Sequence, residues 1–326
     1  MLFDKSRQCR IPMFYSFARL TCAFSISLGL GISAANLAQS ADCGSNEESQ
    51  CEVPLGSYFA AEPAKGWKPE GEGEGETETQ SETKEDAPRP AVIFFHGGSG
   101  WGSRIFSVRE QMRKDFTERG YVVIAPNGKK RPGSRFGPGW AFIPQFKPHR
   151  DDLAFVKEII KDAEIKFNID PTRILMTGYS IGGSLVSYIA CKEPAVAAAF
   201  APVAGGFWRP HPADCAGPVN LLHTHGWRDQ TVPLEGRPLG EIPEGRVEQG
   251  DIYQTLNQWR VENECVKYRP DKFITDGPFW RRIWTHCAPD TALEFALHPG
   301  GHEVPEAWAT LVMGWFESVL EEKAKN

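Results

Sequence analysis

The sequence has no apolar run long enough to cross a lipid bilayer. A membrane-spanning helix needs about 20 consecutive apolar residues. The longest apolar run extends from Leu20 to about Ala35 and is shorter than that, and no later segment is long enough either. We therefore expect no membrane span.

The sequence also lacks an excess of positive charge. The whole chain of 326 residues has a formal net charge of −6. The first forty residues carry four basic residues and one acidic one, so the remainder has a net charge of −9. This balance argues against a nucleic acid or an anionic membrane surface as a partner.

The cysteines lack the spacing of a metal site, and we expect neither a metal nor an organic cofactor. Six of the eight cysteines follow the first forty residues. An even number in an exported protein indicates disulfides, although six cysteines allow fifteen pairings. Our hypothesis is sequential pairing, and free buried thiols are the alternative. The predicted pairs are Cys43 with Cys51, Cys191 with Cys215, and Cys265 with Cys287.

The N-terminus has the layout of a secretory signal peptide. Basic residues precede the apolar run, and small residues with a plausible cleavage site at Ala38-Gln39-Ser40 follow it. We expect residues 1–40 to be removed and the product to be periplasmic or extracellular. The basic region is long, so Met13 is an alternative start. No cysteine has a lipoprotein-type setting, because Cys22 follows Thr21 and Cys43 follows Asp42.

Residues 41–326 predict one α/β domain with no internal repeat. Residues 70–86 are acidic and of low complexity, which predicts a solvated loop inserted between two neighbouring strands. After this loop, apolar strands alternate with helical segments. Such alternation indicates a mostly parallel sheet with helices on both faces.

The stretch "GYSIGG", residues 178–183, places Ser180 between a strand and a helix. The apolar strand "RILMTG" leads into it, and a helical pattern begins at Gly182. This strand–turn–helix setting is that of a nucleophile elbow, which holds a serine hydroxyl clear of the backbone. The alternative is that Ser180 is only the N-cap of the helix.

A serine nucleophile needs an imidazole to take its proton and a carboxylate to orient that imidazole. Asp229 closely follows the strand "PVNLLHTHG", and His302 closely follows the strand "LEFALHP". The order Ser, Asp, His and both placements fit an elbow-type hydrolase. Asp214 and Asp251 are competing acids, but neither follows a late apolar strand so closely.

Three more histidines are less suited to catalysis. His298 lies at the end of its strand, where a packed histidine is common, and His223 and His225 lie within a strand. We expect all three to be structural.

A catalytic serine also requires amide donors for the developing oxyanion. We expect the amide of Ile181 to be one donor. Gly98 or Ser99 in the turn "HGGSG" is the other candidate, and His96 is expected to hold this turn by hydrogen bonding.

The loop "KKRPGSRFGPGWAFIPQFKPHR", residues 129–150, is basic and aromatic within an acidic protein. Either it lines an acyl pocket through Trp140 and Phe142, or it covers the edge of the sheet. Tyr179, next to Ser180, is a third candidate for substrate binding.

These motifs resemble those of the exported polyhydroxybutyrate depolymerases and feruloyl esterases of the α/β-hydrolase fold. The most specific stretch is "NIDPTRILMTGYSIGG", and "HTHGWRDQTVP" and "PGGHEVPEAW" are also similar. The resemblance implies a Ser180–Asp229–His302 triad, and implies that Cys191–Cys215 and Cys265–Cys287 are disulfides. Many relatives have asparagine where this chain has Ile181, and no separate polymer-binding domain is visible.

The sequence therefore predicts an exported serine ester hydrolase acting on a small or soluble ester, such as a feruloyl, acetyl or hydroxybutyrate-oligomer ester. A serine peptidase of the same fold is one alternative, and cleavage of aminoacyl substrates but not simple esters would favour it. The other is a non-catalytic binding protein of the same fold, which would fail to react with a fluorophosphonate. The oligomeric state is left open.

Overall fold

The computed structural model describes residues 43, 49–64, 87–107, 109–134 and 137–325. The predicted leader, residues 1–40, and the predicted acidic loop, residues 70–86, lie outside this range. No helix within it is both long enough and apolar enough to cross a membrane.

The strands form one large sheet and one small hairpin. Their bounds are β1 (Cys51–Val53), β2 (Gly56–Ala61), β3 (Arg89–Phe95), β4 (Val122–Pro126), β5 (Ile169–Tyr179), β6 (Ala199–Val203), β7 (Leu221–Gly226), β8 (Arg237–Ile242), β9 (Gly245–Gln249), β10 (Lys272–Asp276), β11 (Phe279–Trp284) and β12 (Leu293–His298).

Six α-helices are interleaved with these strands in the described part of the chain. They are α1 (Arg104–Ser107), α2 (Glu110–Glu118), α3 (Asp152–Phe167), α4 (Ile181–Lys192), α5 (Ile252–Glu262) and α6 (Trp308–Lys325).

The ten-stranded sheet has the order β1-β2-β4-β3-β5-β6-β7-β12-β11-β10. The central strands from β4 to β12 are parallel to one another, and the two outer strands on each side pair antiparallel. The prediction of an α/β fold with a mostly parallel sheet is confirmed. Because β5, β7 and β12 run in the same direction, their carboxyl ends meet at one edge.

The core lies on both faces of this sheet, as buried parallel strands require. On one face Phe155 of α3 and Trp259 of α5 are fully buried. On the other face Phe116 of α2 and Trp308 of α6 are fully buried. The strands between the two layers are apolar on both sides, and every residue of β4 is buried.

Helix α3 shows how local signals set the element boundaries. The Asp151 side chain accepts a hydrogen bond from the Ala154 amide at 3.0 Å, which caps the N-terminus. The helix ends at Asn168, which adopts a left-handed conformation with φ of +49°. Strand β5 then begins at once with Ile169, four residues earlier than the predicted strand "RILMTG".

The sequence analysis did not predict α5, the β8–β9 hairpin or the β10–β11 hairpin. Every residue of β10 is exposed, so this strand lacks the alternation of apolar and polar residues that identifies a half-buried strand. Helix α5 did carry a signal. Asp251 caps its N-terminus by accepting from the Gln254 amide, and Ile252, Leu256 and Trp259 recur on one face.

Three disulfides join the six cysteines in the predicted sequential order, Cys43–Cys51, Cys191–Cys215 and Cys265–Cys287. The second ties the end of α4 to the segment before β7. The third ties the end of α5 to the segment before β12. The second and third disulfides therefore brace the segments that lead into the two strands preceding Asp229 and His302.

We expect the Cys191–Cys215 disulfide to stabilise the fold by about 3.5 kcal/mol, because it closes a loop with a sequence separation of 24. Replacing both cysteines with alanine should lower the free energy of unfolding by that amount in a urea titration. Removing Cys43–Cys51, with a separation of 8, should cost about 2.5 kcal/mol. No loss of stability for the first variant would contradict this estimate.

Candidate active site

Ser180 lies in a strained turn between β5 and α4. Its backbone has φ of +59° and ψ of −122°, a combination that non-glycine residues rarely adopt. The Ser180 amide donates to the Val203 carbonyl at 2.9 Å, which fixes the turn against β6. The Ser180 side chain forms no capping hydrogen bond to α4, so its hydroxyl remains available for another partner.

Glycines allow this turn to pack tightly against its neighbours. A Cβ atom at Gly182 would lie 2.2 Å from the Phe95 carbonyl oxygen, and one at Gly205 would lie 2.1 Å from the Ser180 carbonyl oxygen. Both distances are far shorter than a van der Waals contact. The elbow therefore depends on glycine at both positions.

The structure brings together the three residues that the sequence predicts to act together. His302 Nε2 lies 2.9 Å from Ser180 Oγ, and His302 Nδ1 lies 2.7 Å from Asp229 Oδ2. Ser180 follows β5, Asp229 follows β7 and His302 follows β12, so parallel strands deliver all three to one edge of the sheet. In this arrangement the imidazole can take a proton from the serine while the carboxylate holds its other nitrogen.

Asp229 is held as a carboxylate by donors from its own loop. Its Oδ1 accepts hydrogen bonds from the Thr231 and Val232 amides, both at 2.8 Å. Burial raises the pKa of Asp229, but the hydrogen bonds from His302 and Val232 outweigh it, and the pKa lies below its ordinary value. The side chain is fully buried and therefore has one fixed orientation toward His302.

Two buried histidines lie behind Asp229. His225 Nε2 lies 2.8 Å from the Val232 carbonyl oxygen, to which it must donate, so its Nδ1 accepts. His223 Nε2, 3.2 Å away, must then donate to that Nδ1, which leaves His223 Nδ1 as an acceptor with no partner within the described structure. Burial lowers the pKa of His225 to about 4, so the imidazole is neutral at pH 7. Both histidines are structural, and His225 holds the loop that carries Asp229.

Tyr179 supports the loop that carries His302. Its hydroxyl donates to the His302 carbonyl oxygen at 2.6 Å, and the two rings lie 4.8 Å apart. The Arg109 guanidinium lies over the Tyr179 ring, 5.2 Å from the ring centre. These contacts assign Tyr179 to positioning His302, whereas its expected contact with substrate stays a prediction.

The two residues expected to supply oxyanion amides, Gly98 and Ile181, lie close together. Ile181 begins α4, and its side chain lies against the Gly98 backbone, because a Cβ at Gly98 would be 3.8 Å from Ile181 Cδ1. Neither the Gly98 amide nor the Ile181 amide has a backbone acceptor outside helices and strands in the described residues. The Ser99 amide, by contrast, donates to the Pro138 carbonyl at 3.1 Å. This hydrogen bond favours Gly98 over Ser99 as the oxyanion donor, and the identity of that donor stays a prediction.

His96 and Trp140 hold the glycine-rich turn from beneath. His96 Nδ1 donates to the Gly97 carbonyl at 2.7 Å, and its Nε2 accepts from the Gly128 amide at 2.9 Å. The Trp140 indole nitrogen donates to the His96 carbonyl at 2.9 Å. Trp140 is only 3% exposed and supports the turn, whereas its expected contact with an acyl group stays a prediction. Its position depends on contacts with residues over forty positions earlier, which sequence spacing does not reveal.

Phe142 lies beside α4, where it stacks on Tyr188 at 5.3 Å and meets the edge of Trp208 at 5.7 Å. It is partly buried. Its role in binding an acyl group stays a prediction.

Asp251, a competing acid, and His298, the competing base, are engaged in other hydrogen bonds. Asp251 caps α5. The Asp214 carbonyl contacts Cys191 near the disulfide. His298 is 2% exposed, and its Nδ1 accepts from the Gly300 amide at 3.2 Å.

We expect the buried histidines to make the fold sensitive to acid. Burial lowers the pKa of His96 to about 4, as it does for His225, and it lowers the pKa of His223 well below 6.5. The unfolded chain binds these protons near pH 6.5, so the unfolded state holds more protons than the folded state between pH 6.5 and 4. The free energy of unfolding should therefore fall as pH decreases through this window, by on the order of 2–3 kcal/mol each for His96 and His225, and His223 should lower it further. Urea titrations at pH 7, 6, 5 and 4.5 measure it, and a constant free energy would contradict the assignment.

Comparison with protein families identifies one match. The profile of the Dienelactone hydrolase family matches residues 78–238, just under half of the chain. The matched region contains the glycine-rich turn, Ser180 and Asp229. His302 lies beyond it.

Two curated relatives are feruloyl esterases. Feruloyl esterase B of Piromyces equi is 27% identical over 191 residues, which are 56% of this chain and 34% of that protein. Probable feruloyl esterase C of Aspergillus oryzae is 30% identical over 118 residues, 35% of this chain and 38% of that protein. The chain thus spans little more than a third of the length of these relatives.

One solved structure supports the fold. The acetyl xylan esterase from Aspergillus awamori superimposes with a TM-score of 0.52 at 15% identity, over 82% of this chain and 98% of that one. At this identity the likeness concerns the fold alone.

Proposed function

We propose that this chain, a carboxylesterase-like α/β hydrolase related to the dienelactone hydrolase family and distantly to the feruloyl esterases, cleaves carboxylic esters through an acyl-enzyme on Ser180. The observation that carries the proposal is the position of His302 between Ser180 and Asp229. Its two ring nitrogens lie 2.9 Å from the hydroxyl and 2.7 Å from the carboxylate. A histidine that only packs in the core does not require a hydroxyl at one ring nitrogen and a carboxylate at the other.

The mechanism assigns one role to each group. Ser180 Oγ attacks the ester carbonyl while His302 Nε2 takes its proton. Asp229 holds Nδ1–H and stabilises the imidazolium that forms. The amides of Gly98 and Ile181 donate to the oxyanion, His302 returns the proton to the leaving alkoxide, and water then releases the acid by the same steps.

The substrate is proposed to be a small or soluble ester of the feruloyl, acetyl or hydroxybutyrate-oligomer type. Two curated relatives are named feruloyl esterase and probable feruloyl esterase, which supports a substrate with an aromatic acyl group. Trp101 and Trp227 adjoin the site in sequence, one in the segment after the glycine-rich turn and the other two residues before Asp229. Both are more than half exposed, so exposed aromatic side chains lie in the two segments that adjoin the site in sequence.

Export to the periplasm or the medium is part of the same proposal. Three disulfides support it, because disulfides persist in oxidising compartments. Removal of residues 1–40 by a signal peptidase is tested by N-terminal sequencing of protein secreted from the native host. A mature N-terminus near residue 41 is the expected result.

A panel of acetyl, butyryl, feruloyl and hydroxybutyrate-oligomer esters tests the activity. We expect turnover of at least one ester, with the preferred acyl group identifying the substrate class. No turnover on any ester by folded protein that reacts with a fluorophosphonate would contradict the esterase and favour a peptidase. No turnover and no reaction with the fluorophosphonate would contradict catalysis at Ser180 altogether.

A further inference from the structure

The two edges of the ten-stranded sheet differ in how they are protected. Natural proteins protect sheet edges because an unpaired strand is a template for pairing with another chain. At one edge, β1 has only three residues and Cys51 is tied by a disulfide. At the other edge, β10 has five residues, all exposed, and no strand of the described structure pairs with its outer side.

Large apolar side chains are concentrated at the β10 edge. Phe273 is 66% exposed, Ile274 is 41% exposed, and Trp280 on the neighbouring strand is 45% exposed. Val266 and Tyr268, in the segment before β10, are more exposed still. Exposed apolar side chains on both faces of one sheet edge indicate an interaction surface.

The hairpin determines which backbone groups of β10 point outward. Asp276 and Phe279 are paired across the two-residue turn Gly277–Pro278, and Gly277 has the positive φ of +53° that a type II′ turn needs. The two residues that close such a hairpin exchange backbone hydrogen bonds with each other. Along the two strands, hydrogen-bonded pairs then alternate with pairs that are not hydrogen-bonded. Ile274 and Lys272 thus bond to β11, whereas the N–H and C=O groups of Phe273 and Thr275 face away from it.

We propose that β10 pairs antiparallel with β10 of a second copy of this chain, about a two-fold axis at Ile274. Phe273 of each copy then lies opposite Thr275 of the other, and the two residues exchange hydrogen bonds. Four new bonds use all of the outward-facing backbone groups of Phe273 and Thr275. The two sheets join into one continuous sheet of twenty strands.

This register is self-complementary in charge. Lys272 of each copy lies opposite Asp276 of the other, which forms two reciprocal ion pairs. A shift by two residues in either direction would instead place two lysines or two aspartates nearer to each other and leave half of the outward backbone groups unpaired. The central residues Phe273, Ile274 and Thr275 carry no charge that would oppose pairing.

The side chains also match. Ile274 packs against Ile274 of the second copy on one face. On the other face Thr275 lies beside Trp280 in the register of the β10–β11 hairpin. Because Thr275 is small, Phe273 of one copy can reach across it toward Trp280 of the other. The exposed apolar residues of the edge are thereby covered by their own counterparts.

Cysteine crosslinking tests the register directly. In a non-hydrogen-bonded antiparallel pair the Cα atoms are about 4.5 Å apart, which a disulfide can bridge. Ile274→Cys should therefore crosslink two copies under mild oxidation. Thr275→Cys is the matched control, because the two Thr275 Cα atoms would be about 8–9 Å apart, too far for a disulfide. The unaltered chain, whose cysteines beyond residue 40 are all paired, sets the background.

Charge reversal measured by sedimentation equilibrium tests the ion pairs. Lys272→Asp should raise the dimer dissociation constant roughly tenfold, because two attractive pairs become repulsive. Adding Asp276→Lys to that variant should restore most of the affinity, which a merely destabilising substitution would not do. A monomeric unaltered chain at 100 µM, equal crosslinking of both cysteine variants, or no rescue by the double reversal would each overturn the proposal. None of these outcomes depends on ester hydrolysis.

Discussion

Replacing Ser180 with alanine should lower the turnover of any ester substrate by roughly four to six orders of magnitude while the chain still folds. The substitution removes the only atom that His302 Nε2 activates, at 2.9 Å, and it leaves Asp229, His302 and the Gly98 and Ile181 amides in place. The residual rate would come from the oxyanion donors and from binding. Steady-state assays with an active-site titrant measure the loss, and circular dichroism and urea titration measure the fold.

Ser187→Ala is the matched control for Ser180→Ala. Ser187 lies on α4, the helix that follows Ser180, and its hydroxyl donates to the Gly183 carbonyl at 3.3 Å. We expect turnover within a fewfold of the unaltered chain. A Ser180→Ala rate within tenfold of the unaltered chain would remove Ser180 from the mechanism.

Replacing Asp229 with asparagine should lower kcat by on the order of ten thousandfold. Oδ1 can still accept from the Thr231 and Val232 amides, so the loop keeps its shape. The new amide nitrogen then faces His302 Nδ1 and donates to it. The imidazole must then carry its proton on Nε2, and a protonated Nε2 cannot accept the Ser180 proton.

Asp251→Asn is the matched control for Asp229→Asn, because both aspartates accept amide hydrogen bonds from the residues that follow them. Asparagine caps a helix about as well as aspartate, so α5 should remain intact and kcat should be unchanged. Equal losses in the two variants would show that Asp229 acts only on stability.

The residues of the site that could be predicted from sequence are those fixed by local signals. Ser180, Asp229 and His302 each follow a buried strand by a few residues, and parallel strands end at the same edge. Their convergence therefore follows from the strand pattern together with the order along the chain. The three disulfides also follow chain order.

Two expectations about the site depend on contacts between distant segments. Whether the Ser99 amide is free depends on Pro138, and whether Trp140 faces a pocket depends on His96. Neither contact leaves a periodic pattern in the sequence. The β10–β11 hairpin was missed for a different reason, since its outer strand is exposed on both faces and has no buried side to give it a period of two.

The most direct measurement of the central claim is reaction of the folded chain with a fluorophosphonate, followed by peptide mapping by mass spectrometry. We expect one adduct per chain, located on Ser180. The adduct should be absent from the Ser180→Ala variant and should form far more slowly in the Asp229→Asn variant. An adduct on another residue, or no adduct on correctly folded protein, would contradict the assignment of Ser180 as the nucleophile.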